Sequence, residues 1–177
     1  EVESSTFDRF FISRYSLRKF NDEVIPFEKI LHLAGIAGKT PSACNRQPWN
    51  VRIIQSPELI KKALHLQNGN RGFSHVVKNV AVITGKISNF SSKERNQVYI
   101  DCGMYSMSLI MALHANGIAC CPLNMSYQSR DEKNVSSKLQ FDEDEVPIMM
   151  IAFGIAASDA SCANSERKKV SDFVQLN

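Results

Sequence analysis

Val98-Tyr99-Ile100-Asp101-Cys102-Gly103-Met104-Tyr105-Ser106-Met107-Ser108-Leu109-Ile110-Met111-Ala112-Leu113-His114-Ala115 is the stretch that decides the fold. It reads as the core of the longest helix, running from about Lys93 to Asn116 and closed by Gly117. Val98, Ile100, Met104, Tyr105, Met107, Leu109, Ile110, Met111 and Leu113 spread round nearly its whole circumference. A helix that is apolar on every side must be buried on every side. A chain of 177 residues has little else to surround it, so a subunit interface is inferred. Asp101, Ser106, Ser108 and His114 are too polar for a membrane span of about 20 residues.

On either side, helices and strands alternate, but with connections too uneven for a doubly wound sheet. Ser5 and Thr6 can cap a first helix from Phe7 to about Ser13, with Phe7, Phe10 and Phe11 on one side. Pro26 takes the favoured first position of a second helix, whose apolar face is Phe27, Ile30, Leu31 and Ala34 and whose end lies near Gly38. Residues 51–54, 79–87 and 146–155 read as strands, and 118–123 as a strand or extended segment. Pro57 to about Gln67 reads as an amphipathic helix with Leu59, Ile60, Ala63 and Leu64 inward. Arg130 to about Leu139 reads as a surface helix, Asp142 to Glu145 as a solvated loop, and the tail from Ala156 as polar with little core. The expectation is one α+β domain over residues 1–177, a mixed sheet flanked by helices.

Composition removes several classes of function. The balance of 21 Lys+Arg against 18 Asp+Glu, a net +3, is too mild and too scattered for a nucleic-acid partner. With 44% hydrophobic residues the chain can build a core without disulfides or metals. The five cysteines are odd in number and lack a C-x-x-C, which fits free thiols in a reducing compartment. The adjacent Cys120 and Cys121 read as small apolar filler, or as a strained disulfide or thiophile site. The histidines, at 32, 65, 75 and 114, give no zinc-like spacing. The acidic, polar start reads as neither a signal nor a transit peptide, and a cytoplasmic location is expected.

No G-x-S-x-G, H-E-x-x-H, P-loop or G-x-G-x-x-G is present, so neither a classical nucleophile nor a Rossmann nucleotide site is expected. Two other segments carry chemistry. Arg14-Tyr15-Ser16-Leu17-Arg18-Lys19-Phe20 sets two guanidinium forks and a hydroxyl within five residues, a pattern that can hold a phosphate. It also reads as a solvated basic turn. Pro41-Ser42-Ala43-Cys44-Asn45-Arg46-Gln47-Pro48-Trp49 is a stiff loop with amide groups suited to the edge of a planar heterocycle. It also reads as a helix-to-strand turn with Trp49 plugging the core.

Together and in this order, the two segments resemble the nitroreductase family of FMN enzymes. The resemblance continues through Asn70-Arg71-Gly72-Phe73, Ala112 to Ile118, Cys121-Pro122-Leu123-Asn124 and Ile151-Ala152-Phe153-Gly154. It implies a mixed, mainly antiparallel sheet and an intertwined homodimer with FMN at the interface. Arg14, Ser16 and Arg18 are implied as phosphate, ribityl and ring-edge contacts. Pro41, Ser42, Ala43 and Asn45 are implied as the partner's covering loop, and Asn70 as a contact of the pyrimidine edge. Leu123 and Asn124 stand where a backbone N–H donates to flavin N5, and Arg167 matches a late phosphate-binding arginine. The implied activity passes hydride from NADH or NADPH through FMN to a small acceptor such as a nitroaromatic or quinone, with no side chain as catalytic nucleophile. Alternatives on the same ligand are a flavin-binding sensor or carrier, or a specialised flavin reaction such as biosynthetic oxidation or dehalogenation. A plain interaction module without flavin is the remaining alternative.

Overall fold

Strand periodicity builds the centre of the molecule. The computed structural model describes residues 2–125 and 137–176. Four strands, β1 (Trp49–Ile54), β2 (Asn79–Lys86), β3 (Ala119–Asn124) and β4 (Glu145–Gly154), form one sheet in the order β1-β2-β4-β3. Every strand pair is antiparallel. The only parallel pairing among the described residues is an isolated bridge between Ser16 and Cys120, so the mixed character is confined to that point.

Alternation along the strands separates two cores. Ala81, Ile83, Cys120, Ile151 and Phe153 point to one face, under α2 (Phe27–Ala37) and α4 (Gln97–Ala115). Val80, Val82, Cys121, Leu123, Met150 and Ala152 point to the other, under α3 (Pro57–His65) with Phe20, Phe73 and Leu139. Gly85 marks where β2 and α4 come closest. A Cβ there would lie 2.5 Å from Val98 Cγ2 and 2.8 Å from Cys102 Sγ, so only glycine allows this approach.

Helix α4 starts at Gln97 rather than near Lys93. Residues Ser92–Glu94 form a separate 3-10 turn, where Ser91 and Glu94 close a capping box on each other's backbone. The helix buries one face, including Val98, Cys102, Tyr105, Leu109 and Leu113, and leaves Tyr99, Ile100, Met104 and Met107 exposed. In a single chain the helix is therefore not buried all round; its second apolar face is open.

Other expectations need correcting. Helix α1 (Ser4–Ile12) begins earlier than predicted and buries no residue. Glu145 is no solvated loop residue: it is buried at the start of β4, its carboxylate 2.7 Å from Arg52 Nη2 and bonded by Asn50 Nδ2. The tail is exposed but not wholly polar, because Val170, Phe173, Val174 and Leu176 all face outward. Of the predicted helix from Arg130 to Leu139, residues 137–139 are helical and the rest lies outside the described residues. Among those described, no helix is long and apolar enough to cross a membrane.

Candidate functional site

The arginine segment is stitched to the β3 side of the sheet. Leu17 N donates to Cys120 O at 3.1 Å, Asn21 N to Ile155 O at 2.9 Å, and Ala157 N to Lys19 O at 3.1 Å. This extended run turns Arg14 and Arg18 into two separate concavities. Arg14 lines one of about 210 Å³ with Tyr15, Leu17, His114, Ile118 and Cys120. Arg18 lines another of about 410 Å³ with Gly69, Gly72, Phe73, His75 and Val76. Burial pushes the Cys120 thiol up to about 12 despite the nearby Arg14 charge, so it is an inert filler rather than a thiolate. Burial also raises Cys121, against the opposing pull of Arg18.

The tail borders both concavities through Ala160, Ser161 and Cys162. It is held there by the ion pair between Lys19 and Asp159. Farther along, Arg167 is exposed and makes no hydrogen bond or ion pair with the described residues.

The loop at 41–49 is shaped by backbone that side chains seldom adopt. Cys44, Asn45 and Gln47 have φ of 51°, 56° and 46°, all left-handed. Three anchors hold it. Gln47 N donates to Ser42 Oγ at 2.9 Å, and Ala43 N donates to Asp101 Oδ2 at 3.0 Å. Arg46 Nη1 pairs with Glu94 Oε1 at 2.7 Å. The Arg46 hydrogen bond, helped by Ser91, holds the Glu94 carboxyl down at about 2. Trp49 stacks on Tyr105 at 4.7 Å, closing the loop onto α4. Pro41 and Asn45 stay exposed, and Ser42 and Ala43 are half-buried.

The two motifs do not meet in one chain. The loop is anchored at Asp101 near the start of α4, and the arginine segment reaches His114 near its end, where Ser13 Oγ and His114 Nε2 are 2.9 Å apart. Thirteen residues of helix separate these anchors by about 20 Å. The loop leads into β1, at one edge of the sheet, and the arginines lie along β3 at the other.

Asn70, expected at the pyrimidine edge, closes the turn after α3. It is buried, and its Nδ2 donates to Leu64 O at 2.7 Å and Gln67 O at 2.6 Å. Gly69 and Gly72 face the Arg18 concavity instead. Leu123 is buried, and exposed Asn124 ends β3, accepting from Gln67 Nε2 at its carbonyl at 3.2 Å. Sequence reading overlooked Gln67 and Asp101. Asp101 carried a signal, since a carboxylate inside an apolar helix needs a buried partner. Gln67 carried none.

The nitroreductase family profile matches residues 12–70 and 85–155. The chain belongs to the nitroreductase family. This nitroreductase-family chain is 22% identical to the Bacillus subtilis protein YdgI, named an NAD(P)H nitroreductase, over 89% of this chain and 92% of that one. An iodotyrosine deiodinase of Haliscomenobacter hydrossis is 20% identical, over 94% and 86% of the two chains. A structure from Exiguobacterium sibiricum, described as a nitroreductase in complex with FMN, superposes with a TM-score of 0.83. At 19% identity it covers 100% of this nitroreductase-family chain and 98% of its own, and at that distance the likeness shows a shared fold.

Proposed function

We propose that this chain is one FMN-binding domain and works as a homodimeric oxidoreductase. It passes hydride from NADH or NADPH to a small acceptor such as a nitroaromatic or quinone. The observation that carries the reading is the pair of adjoining concavities headed by Arg14 and Arg18, with the Ser16 segment between them. Their chemistry fits FMN. A fork with no competing ion pair among the described residues is available for phosphate at Arg14. A wider slot walled by Arg18, Phe73 and two glycines suits a planar ring. The FMN complex of the Exiguobacterium sibiricum neighbour and the naming of YdgI support the same choice.

In this reading Arg14, Ser16 and Arg18 grip the phosphate, ribityl chain and ring edge, and Arg167 on the tail adds a second phosphate contact. Pro41, Ser42, Ala43 and Asn45 cover the ring from the second copy, because their own chain holds them about 20 Å away at the far end of α4. The open apolar face of Tyr99, Ile100, Met104 and Met107 is the surface on which two copies join. Bound FMN would supply the two-electron chemistry between donor and acceptor. The chain's own residues would fix its position, and Arg18 would place a positive charge at the ring edge. Leu123 and Asn124 present main chain beside that site, and Asn70 serves it indirectly by shaping the 67–72 loop.

A second reading, reductive dehalogenation on the same cofactor, draws on the Haliscomenobacter hydrossis relative. One experiment separates the readings. The pure protein is mixed with FMN, freed of excess, and treated with NADPH or NADH without oxygen. Retained flavin bands that bleach, then recover with a nitroaromatic or quinone, support the proposal. Recovery with a halophenol alone supports dehalogenation. Bands that never bleach favour a sensor or carrier, and absence of flavin overturns the cofactor assignment.

A further inference from the structure

Gln67 is an uncharged side chain just past the end of α3, and it is buried to 6% exposure. Its two amide atoms work in opposite directions. Oε1 accepts from Gly69 N at 2.6 Å and from Asn70 Nδ2 at 2.9 Å, which folds the 68–72 turn around it. Nε2 donates to Asn124 O at 3.2 Å, with Asn124 Oδ1 at 3.4 Å, which ties that turn to the end of β3. The turn supplies Gly69 and Gly72 to the lining of the Arg18 concavity, and Arg18, which lines it too, lies against Cys121 of β3. One amide therefore ties the turn to the strand against which Arg18 rests.

A second observation concerns Gly69. A Cβ on that residue would come 3.0 Å from Gln67 Nε2 and 3.4 Å from Oε1. A free glutamine would swing aside at little cost, but this one is held by hydrogen bonds at both ends. It can yield only by loosening them. The missing side chain at 69 is what lets the clamp close.

We propose that Gln67 is a positioning residue that sets the width of the ring slot and thereby the redox poise of the bound cofactor. The inference rests on the FMN reading above. The poise of a bound flavin is the ratio of its affinities in the reduced and oxidised forms, and that ratio depends on charges and hydrogen-bond donors held at fixed distances from the ring. Releasing the clamp lets the turn move away from Arg18 and changes that ratio without removing any group that touches the ring.

The test compares wild type, Gln67→Met, Gln67→Glu and Gly69→Ala, each loaded with FMN. FMN dissociation constants and two-electron midpoint potentials are measured, together with thermal melting of the apoprotein. Methionine keeps volume and loses both halves of the clamp, while glutamate keeps the acceptor half and loses the donor to Asn124. The expected result is a change of about tenfold in the reduced-to-oxidised affinity ratio for Gln67→Met and Gly69→Ala, or about 30 mV for a two-electron couple. Gln67→Glu shifts it too, because its second carboxyl oxygen faces the Asn124 oxygens and opens the donor half of the clamp. Potentials unchanged in both Gln67→Met and Gly69→Ala, with FMN bound, overturn the clamp and leave the FMN reading standing. Wild type that retains no FMN overturns both. Should Gln67→Met fail to fold, Gly69→Ala decides alone, because its perturbation is a few tenths of an ångström.

Discussion

Ala43 donates its main-chain N–H to Asp101 Oδ2 at 3.0 Å, and Asp101 is wholly buried, with Gln97 Nε2 on its other oxygen at 2.7 Å. One carboxylate inside a largely apolar helix thus fixes the left-handed loop at 41–49. Removing it strands the Ala43 N–H. Asp101→Ala is expected to cost roughly 1.5–3 kcal/mol, the usual value of a hydrogen bond to a charged group. That lowers the melting temperature by roughly 5–10 °C in a chain of this size. Asp101→Asn, which keeps an acceptor, should fall between the two. Scanning calorimetry on all three proteins checks the order, and an unchanged melt in Asp101→Ala would show that the loop is held by its other anchors.

If each FMN site takes its arginines from one chain and its cover from the other, two damaged chains should rescue each other. Arg14→Ala with Arg18→Ala removes one half, and deletion of residues 43–45 removes the other. Neither homodimer should retain FMN. Mixed, unfolded and refolded together, random pairing leaves roughly a quarter of the sites intact, since half the dimers are mixed and each holds one good site. Flavin absorbance after desalting reads the answer directly. No recovery in a demonstrably mixed dimer would mean that each site belongs to a single chain.

Much of this layout was legible in the residues. The four strands fell within a residue or two of their observed bounds because alternation and β-branched runs report burial locally. The long helix was visible from composition, but its start was misjudged, since Ser91 and Glu94 cap a separate turn before it. The arginine segment and the stiff loop were recognisable as motifs. What lay beyond reach was tertiary: that Asn70 turns inward, that Gln67 ties the 68–72 turn to the end of β3, and that the last acid of Asp142–Glu145 is buried against Arg52. An acidic run looks solvated from composition alone, and only the arrival of Arg52 from β1 changes that.

Gly85→Ala is expected to be among the most damaging small substitutions. Its methyl would enter the contact between β2 and α4 at 2.5 Å from Val98 and 2.8 Å from Cys102. Overpacking of this kind costs about 1–3 kcal/mol. Urea unfolding should show a lower midpoint with an unchanged slope. Pairing the change with Val98→Ala should recover part of the loss, and failure to recover would locate the strain elsewhere.

Glu145 gives a pH dependence with a definite sign. Burial raises its pKa, but hydrogen bonds from Arg52 and Asn50 and the Arg52 charge outweigh this, and the net shift is downward. A depressed carboxyl stabilises the fold fully above its unfolded value, near 4.3, and loses that contribution as pH falls through the lower folded value. Wild type should therefore exceed Glu145→Gln in melting temperature at pH 7, and the gap should narrow below about pH 4. A gap that stays constant from pH 7 to pH 3 would exclude ionised Glu145 as its source.

Arg14→Ala combined with Arg167→Ala should sharply weaken FMN binding, by roughly a hundredfold if each charge-assisted contact is worth about 1.5 kcal/mol. Fluorescence titration of FMN measures it, with melting of the apoprotein as the control for folding. An unchanged dissociation constant would remove both residues from the phosphate site.

Helix α4 has one further consequence. If the FMN site draws on both motifs, held about 20 Å apart on opposite edges of the same sheet, a solitary folded chain would be blind to its cofactor. Occupancy would then depend on how much protein is present as well as how much FMN. Each bound FMN, touching two chains at once, would add its own binding energy to their association. Dilution would empty the sites before it unfolded the protein, and saturating FMN would hold pairs together at concentrations where the apoprotein has already come apart.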